Sequence, residues 1–418
     1  MAMSDDQQVR VAPAGVSRVV GHAYPWDVIG DPTFGDRVQA LGIREVALAA
    51  SYHSTRAATP LHPLHRVIEA PHAALYRPVR ERAWAGRSLR PITGGLAGSG
   101  ADSFSQAADD LLGQGMQVDA WVVLAHSTRL GTIRPSIGRV HPDHPGDLAV
   151  RNCFGDIYSY ALCPAHGEVR DYLATLAAEA ARDVQVTGVS VEGLGQMGVA
   201  HNGPHEKTEG AFGPAAQRVL SVCCCRGCQT AWGEAGLDPQ QVIRPLREAL
   251  TAVESRPADA VSMPDLLGDA ADHLLAIRLR NQDAARDQVM AALREVAPRA
   301  RVTLHGQPDQ WATGPSPAAT AMAAGAVDSI LVPSWGINDA TYRAISETRE
   351  LVPETVSVGA YVSVLPPVDL PAVPAHVAAL VDSGADELHL YHLGLAASRQ
   401  LQTVGAVARF VSHVGSGQ

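Results

Sequence analysis

Eight short β-branched runs, each followed by a stretch of helical character, constrain this chain more than any other feature. The runs are RVVGHAY (18–24), EVALAASY (45–52), the core of QVDAWVVLA (118–125), VTGVSVE (186–192), RVTLHG (301–306), DSILVP (328–333), TVSVGAYV (355–362) and ELHLYH (387–392). Helical stretches fall between them, for example at 166–182, 214–234, 266–296, 315–325, 339–350 and 372–383. Strand–helix alternation of this kind signals parallel βαβ units. AAGAVDSILVP (323–333) and VDSGADELHLY (381–391) repeat one helix–glycine–strand joint. Eight such units predict an α/β fold, a (β/α)8 TIM barrel. A doubly wound open sheet is the alternative, but no G-x-G-x-x-G follows the first run, which disfavours its dinucleotide-binding form. Two stretches exceed what a barrel needs: a long loop over about 53–103 after strand 2, and added helices over about 236–297 after strand 4. With no composition break to act as a linker, the reading is one barrel domain over 1–418.

The net charge of −10 argues against a nucleic-acid partner, which would need a basic face. The N-terminal MAMSDDQQVR is polar, without the apolar core of a secretion signal. No run approaches the ~20 apolar residues of a membrane helix. The expectation is a cytoplasmic protein with reduced thiols, no membrane contact and a small-molecule ligand, with self-association left open.

In a barrel, the C-terminal ends of the strands list the site. Here they supply His22, Tyr24, Tyr52, His53, His126, Arg129, His305, Trp335, Tyr361, Tyr391 and His392. Rings to stack on and polar groups to read hydroxyls suit a sugar-like ligand. Strand 4 ends on Glu192, a carboxylate closing an apolar run, where burial needs a reason. Apolar walls would raise its pKa and suit a general acid; a neighbouring cation would keep it ionised.

ALCPAHGEVRDYLATLAAEAARDVQVTGVSVEGLG (161–195) resembles a stretch of the glycoside-hydrolase-like TIM-barrel proteins. Pro164, Glu168, Val169 and Arg170 match that family's helix start, Gly188 its strand glycine, and Glu192 its acidic strand end. SGADELHLYHLG (383–394) is similar to the closing strand of the same proteins. The resemblance covers about a third of the chain and implies a sugar-processing barrel with Glu192 as central carboxylate, a nucleophile or an electrostatic stabiliser. The strand-7 acid of the large β-glycosidase group has no counterpart in SVGAYVSVLPP. The acid/base partner is therefore expected from Asp339 after strand 6 or Asp309 after strand 5.

The loop GLGQMGVAHNGPHEKTEGAFGP (193–214) holds His205, Glu206 and the single lysine of the chain, Lys207. Resembling proteins carry a similar loop, which implies that these residues face the ligand. Lys207 would bind an anionic group or, if desolvated, form a Schiff base.

Six cysteines complete the inventory: Cys153, Cys163, Cys223, Cys224, Cys225 and Cys228. In a reducing compartment, clustered cysteines mean metal or redox chemistry before disulfides. C-x-C-x-x-C supplies three zinc ligands from Cys223, Cys225 and Cys228, with Cys224 pointing elsewhere. Cys163 is the expected fourth ligand, with Cys153 second. The order is similar to that of the β-galactosidases that carry zinc at the barrel rim, and implies a structural zinc.

The leading expectation is a glycoside-hydrolase-like enzyme acting on a sugar or polyol. One alternative is a lyase, isomerase or epimerase using histidine and lysine acid/base groups or a catalytic metal. The other is a barrel that binds carbohydrate without turnover.

Overall fold

The computed structural model describes residues 15–95, 100–132, 148–200, 207–208, 210–254 and 262–415. All eight expected runs form parallel strands: β1 (Arg18–Ala23), β2 (Glu45–Tyr52), β3 (Gln117–Val123), β4 (Gly188–Glu192), β5 (Arg301–His305), β6 (Ser329–Pro333), β7 (Ser357–Ser363) and β8 (Glu387–Tyr391). Each pairs with its sequence neighbours, and β1 pairs with both β2 and β8, so the sheet closes into a (β/α)8 barrel. The intervening helices are α1 (Phe34–Ala40), α2 (Ser103–Gly113), α3 (Gly167–Ala181), α4 (Ala270–Val296), α5 (Ala321–Ala324), α6 (Asp339–Leu351), α7 (Val373–Asp382) and α8 (Ser398–Gly415).

Helix α4 packs on α3 and is the barrel's own fourth helix, within the stretch read as added. It buries Leu274, Ile277, Arg278, Ala285, Val289 and Leu293, a helical-period stripe. Additional helices at Pro214–Leu220, Arg226–Glu234, Pro239–Glu254 and Met263–Leu267 precede it. The long segment after β2 holds a hairpin, Thr55–Ala58 with Val67–Ala70, and a short strand, Ala74–Leu75, antiparallel on β2.

The helix expected over 214–234 is interrupted. It stops at Leu220 and resumes at Arg226, and Cys225 is extended (φ −67°, ψ 166°). A helix would send Cys223 and Cys225 to opposite faces, whereas in extended chain residues two apart share a side. The C-x-C pair therefore converges only where the helix is broken.

The barrel interior is polar at every level, unlike the branched apolar filling usual in this fold. At the bottom, Arg18 of β1 bridges Glu45 of β2 and Asp119 of β3. Arg301 of β5 reaches Glu387 of β8. Above these ions lie His22 and His389, both fully buried. At the top stand Trp121, Glu192, Tyr361 and Tyr391. Replacing such ion pairs with apolar groups is often neutral or better for stability, so the column points to a constraint other than stability.

Candidate active site

A cavity of about 1180 Å³ opens over the C-terminal ends of the strands. Its walls carry Tyr52 of β2, Tyr361 of β7, Tyr391 of β8 and, in the β6–α6 loop, Trp335, which is 50% exposed. Trp335 stacks on Tyr391 with ring centroids 5.3 Å apart. Glu192 also lines the cavity, at the end of β4, with only 8% of its surface exposed.

Glu192 has one strong partner. The Trp121 indole N–H donates to its Oε2 at 2.7 Å. Nδ1 of His305 stands 3.7 Å from the same oxygen, and Nε2 of His305 is 3.0 Å from Ser190 Oγ. Burial pushes the Glu192 carboxyl up to about 7, and the Trp121 bond opposes that rise. Burial likewise drives the His305 imidazole down to about 3, so it stays neutral and gives the carboxylate no counter-charge. A carboxyl that exchanges its proton near neutrality has the property of a general acid/base.

The expected residues separate into tiers. Tyr52, His53, Trp335, Tyr361, Tyr391 and Glu192 line the cavity. His126 lies behind His53, their rings 4.2 Å apart. His22, Tyr24, His305 and His392 are buried around and beneath the cavity floor: Tyr24 lies 4.2 Å from the His392 ring, and His22 is 4.7 Å from Trp121. Arg129 turns to the carbonyl of Arg90. Lys207 is exposed, and its neighbour Thr208 lines the cavity with Gly210 and Phe212. His205 and Glu206 lie outside the described residues.

The two expected acid/base partners are placed away from this wall. Asp309 pairs with Arg218 at 2.6 Å and accepts the Trp311 backbone N–H at 2.9 Å. Asp339 is an exposed first-turn residue of α6, behind the Asn338 cap. Among the described residues, the second carboxylate on the cavity wall is Asp369, in the β7–α7 loop. It lies just beyond the SVGAYVSVLPP segment, which holds no strand-7 acid. Trp121, the partner of Glu192, is not among the residues expected from the strand ends; the signal for it is its place two residues after Asp119 on β3, since alternate strand residues share a face.

The cysteines form a separate site behind the β4 loop. The sulfurs of Cys163, Cys223, Cys225 and Cys228 are buried and lie within 4.8 Å of one another, while Cys153 stays outside the group. Cys163 and Cys228 are 3.6 Å apart, far beyond a disulfide bond and close to the ~3.8 Å edge of a tetrahedron with metal–sulfur bonds of about 2.3 Å. Donors surround the sulfurs as they would thiolates. Gln196 Nε2 is 3.3 Å from both Cys163 and Cys228, and the Arg151 backbone N–H is 3.4 Å from Cys223. His166 Nε2 is 3.2 Å from Cys225. The buried Arg278 guanidinium donates to the Ala312 carbonyl at 2.5 Å; burial lowers its pKa, and charge on Cys223, Cys228 and Cys163 would oppose that. Cys224 turns to the Val222 carbonyl. The donor set fits one tetrahedral, thiophilic metal ion.

The barrel and this cavity define the class: a (β/α)8 protein with a buried carboxylate beneath an aromatic mouth. No family model matches the chain, and no curated protein does. Solved structures of similar fold include the glycoside hydrolase domain of PgaB (BpsB) from Bordetella bronchiseptica, at 13% identity and TM-score 0.51, covering 94% of this chain and 99% of that one. The catalytic domain of β-amylase from Paenibacillus polymyxa aligns at 9% identity and TM-score 0.53, over 96% of this chain and 100% of that one. Gan42B, a GH42 β-galactosidase from G. stearothermophilus, aligns at 12% identity and TM-score 0.50, over 97% and 59%. At these identities the likeness is one of fold.

Proposed function

We propose that this chain is a glycoside-hydrolase-like enzyme acting on a sugar or sugar-like polyol. The observation that carries the reading is Glu192: a buried carboxyl held near 7 on the wall of a cavity lined by Tyr52, Trp335, Tyr361 and Tyr391. Aromatic faces offer the flat apolar surfaces that sugar rings stack against. Glu192, protonated at and below neutrality, would donate to the leaving glycosidic oxygen and recover the proton from water or a second hydroxyl. Asp369, exposed in the lining of the same cavity, is the candidate second carboxylate, to stabilise or attack the oxocarbenium-like centre. This exchanges the roles expected from sequence: Glu192 becomes the acid, and its partner comes from the loop after β7.

Cys163, Cys223, Cys225 and Cys228 would hold a structural zinc ion. Four thiolates leave no open coordination position, so its role would be to tie the segment preceding α3 to the segment after β4. The chain's own residues carry the chemistry.

The test is a panel of 4-nitrophenyl α- and β-glycosides with wild type, Glu192→Ala and Asp369→Ala. The proposal expects turnover of at least one glycoside that both substitutions abolish. Full activity in Glu192→Ala overturns it. Binding of sugars with no turnover by any glycoside supports the non-catalytic reading instead.

A further inference from the structure

The polar column beneath the cavity floor fixes more than packing. Glu387, at the bottom of β8, is buried between Arg18 and Arg301 and accepts the Ser329 hydroxyl at 3.0 Å. Its burial would favour protonation, but His389, Arg18 and Arg301 outweigh that and hold it down to about 2, so it is an anion. Oε2 of Glu387 faces His389 Nε2 at 3.5 Å. His389 Nδ1 lies 3.4 Å from His22 Nε2. His22 Nδ1 lies 3.3 Å from the Tyr361 hydroxyl, and Tyr361 lines the cavity. The two upper contacts sit at the long end of hydrogen-bond range and the Glu387–His389 contact is an electrostatic one; together they run in file from the barrel bottom to the ligand space.

The file has a direction. A carboxylate has only lone pairs, so the His389 nitrogen facing it must carry the proton. A neutral imidazole has one N–H, so His389 Nδ1 is then an acceptor, and His22 must donate to it through Nε2. His22 Nδ1 is an acceptor in turn, and among the described residues the hydroxyl that faces it is that of Tyr361. Burial keeps both rings neutral, and His22 also faces His305, His392 and Arg18, which oppose a second proton.

We propose that the Glu387–His389–His22–Tyr361 file is a hydrogen-bond relay of fixed polarity, which commits the Tyr361 proton downward and turns its oxygen lone pairs toward the cavity. Tyr361 is then an acceptor-only wall for the ligand. It favours a partially positive ring carbon or a donated hydroxyl, and disfavours ligands that present an anion or a bare acceptor there. The identity of the ligand as a sugar rests on the function proposed above; the polarity of the relay does not.

The polarity is read directly from protein labelled with nitrogen-15 histidine, by long-range proton–nitrogen correlation of the imidazoles across the neutral range. His22→Asn and His389→Asn, checked for folding by circular dichroism, assign the two signals. The expected result is the Nε2–H tautomer, uncharged, for both rings. In His389→Leu, with the anchor gone, His22 is expected to become a mixture of tautomers. An Nδ1–H tautomer or a charged ring at either position in wild type overturns the relay. For the ligand, 1-deoxynojirimycin, a cationic iminosugar, is titrated against glucose. Tyr361→Phe is expected to weaken the iminosugar about tenfold more than the neutral sugar, the size of one hydrogen bond to a charged group. Equal loss for both probes overturns the acceptor role. Failure of wild type to bind either sugar overturns the carbohydrate reading, and the imidazole spectrum still decides the relay.

Discussion

Glu192→Gln tests the electrostatics of the cavity floor without reference to any substrate. In the folded protein this carboxyl loses its proton near 7, against an ordinary 4.5, because burial penalises the charged form. Below 4.5 both folded and unfolded chains hold the proton, and the group costs nothing. As pH rises from 4.5 to about 7 the unfolded chain releases the proton that the folded chain keeps, and stability falls. Above 7 the folded state carries the whole penalty, about 3 kcal/mol. Glutamine removes the titration but keeps an oxygen for the Trp121 indole. The variant is therefore expected to match wild type in acid and to exceed it by about 3 kcal/mol in mild alkali. Urea unfolding midpoints of both proteins, measured across the pH range, give the comparison. Because wild type and variant share every other ionisable group, the pH dependence of their difference isolates this one. A difference that does not grow with pH, or a variant less stable in alkali, would refute the reasoning. A gain in stability together with a loss of glycoside turnover is the pattern of a functional group whose environment costs the fold.

The other expectations concern separate parts of the molecule. Cys225→Ser should reduce bound zinc from one per chain to none by elemental analysis, with a lower unfolding temperature, since three ligands leave the ion open to water and chelators. Trp335→Ala, at a half-exposed position, should raise KM roughly tenfold on an active glycoside through the lost stacking surface, with little change in unfolding temperature. Asp369→Asn should lower kcat by about 100-fold or more, in the range for losing a group that stabilises transition-state charge; a larger drop in Asp339→Asn would return the second role to Asp339. Gly394→Ala should destabilise by about 2 kcal/mol, measured by denaturant unfolding, because the new Cβ would fall 1.9 Å from the carboxyl carbon of buried Asp27.

Much of the fold is legible from local pattern. A strand buried on both faces, such as EVALAASY, must be apolar along most of its length, and that signal survives without knowledge of its neighbours. The same rule marked the strand ends, and so pointed to Glu192, Tyr361 and Tyr391. Helix boundaries are less legible where tertiary contacts override propensity, as at Cys223–Cys225. There the chain reads as helix, yet Cys225 is extended and the sulfurs of both cysteines come within 4.8 Å of each other.

The sequence by itself determined the barrel, the face that carries the cavity and the cysteines that come together, because strand period, strand ends and C-x-C spacing are local quantities. Only the tertiary structure decided which polar residues act on one another. Glu387 and His22 are 365 positions apart in sequence and share one file through His389. Asp369, unremarkable in its proline-rich loop, is brought to the same cavity as an acid far upstream. Barrel closure sets these neighbours, by pairing the first strand with the last, and no local pattern encodes which side chains then meet along the axis.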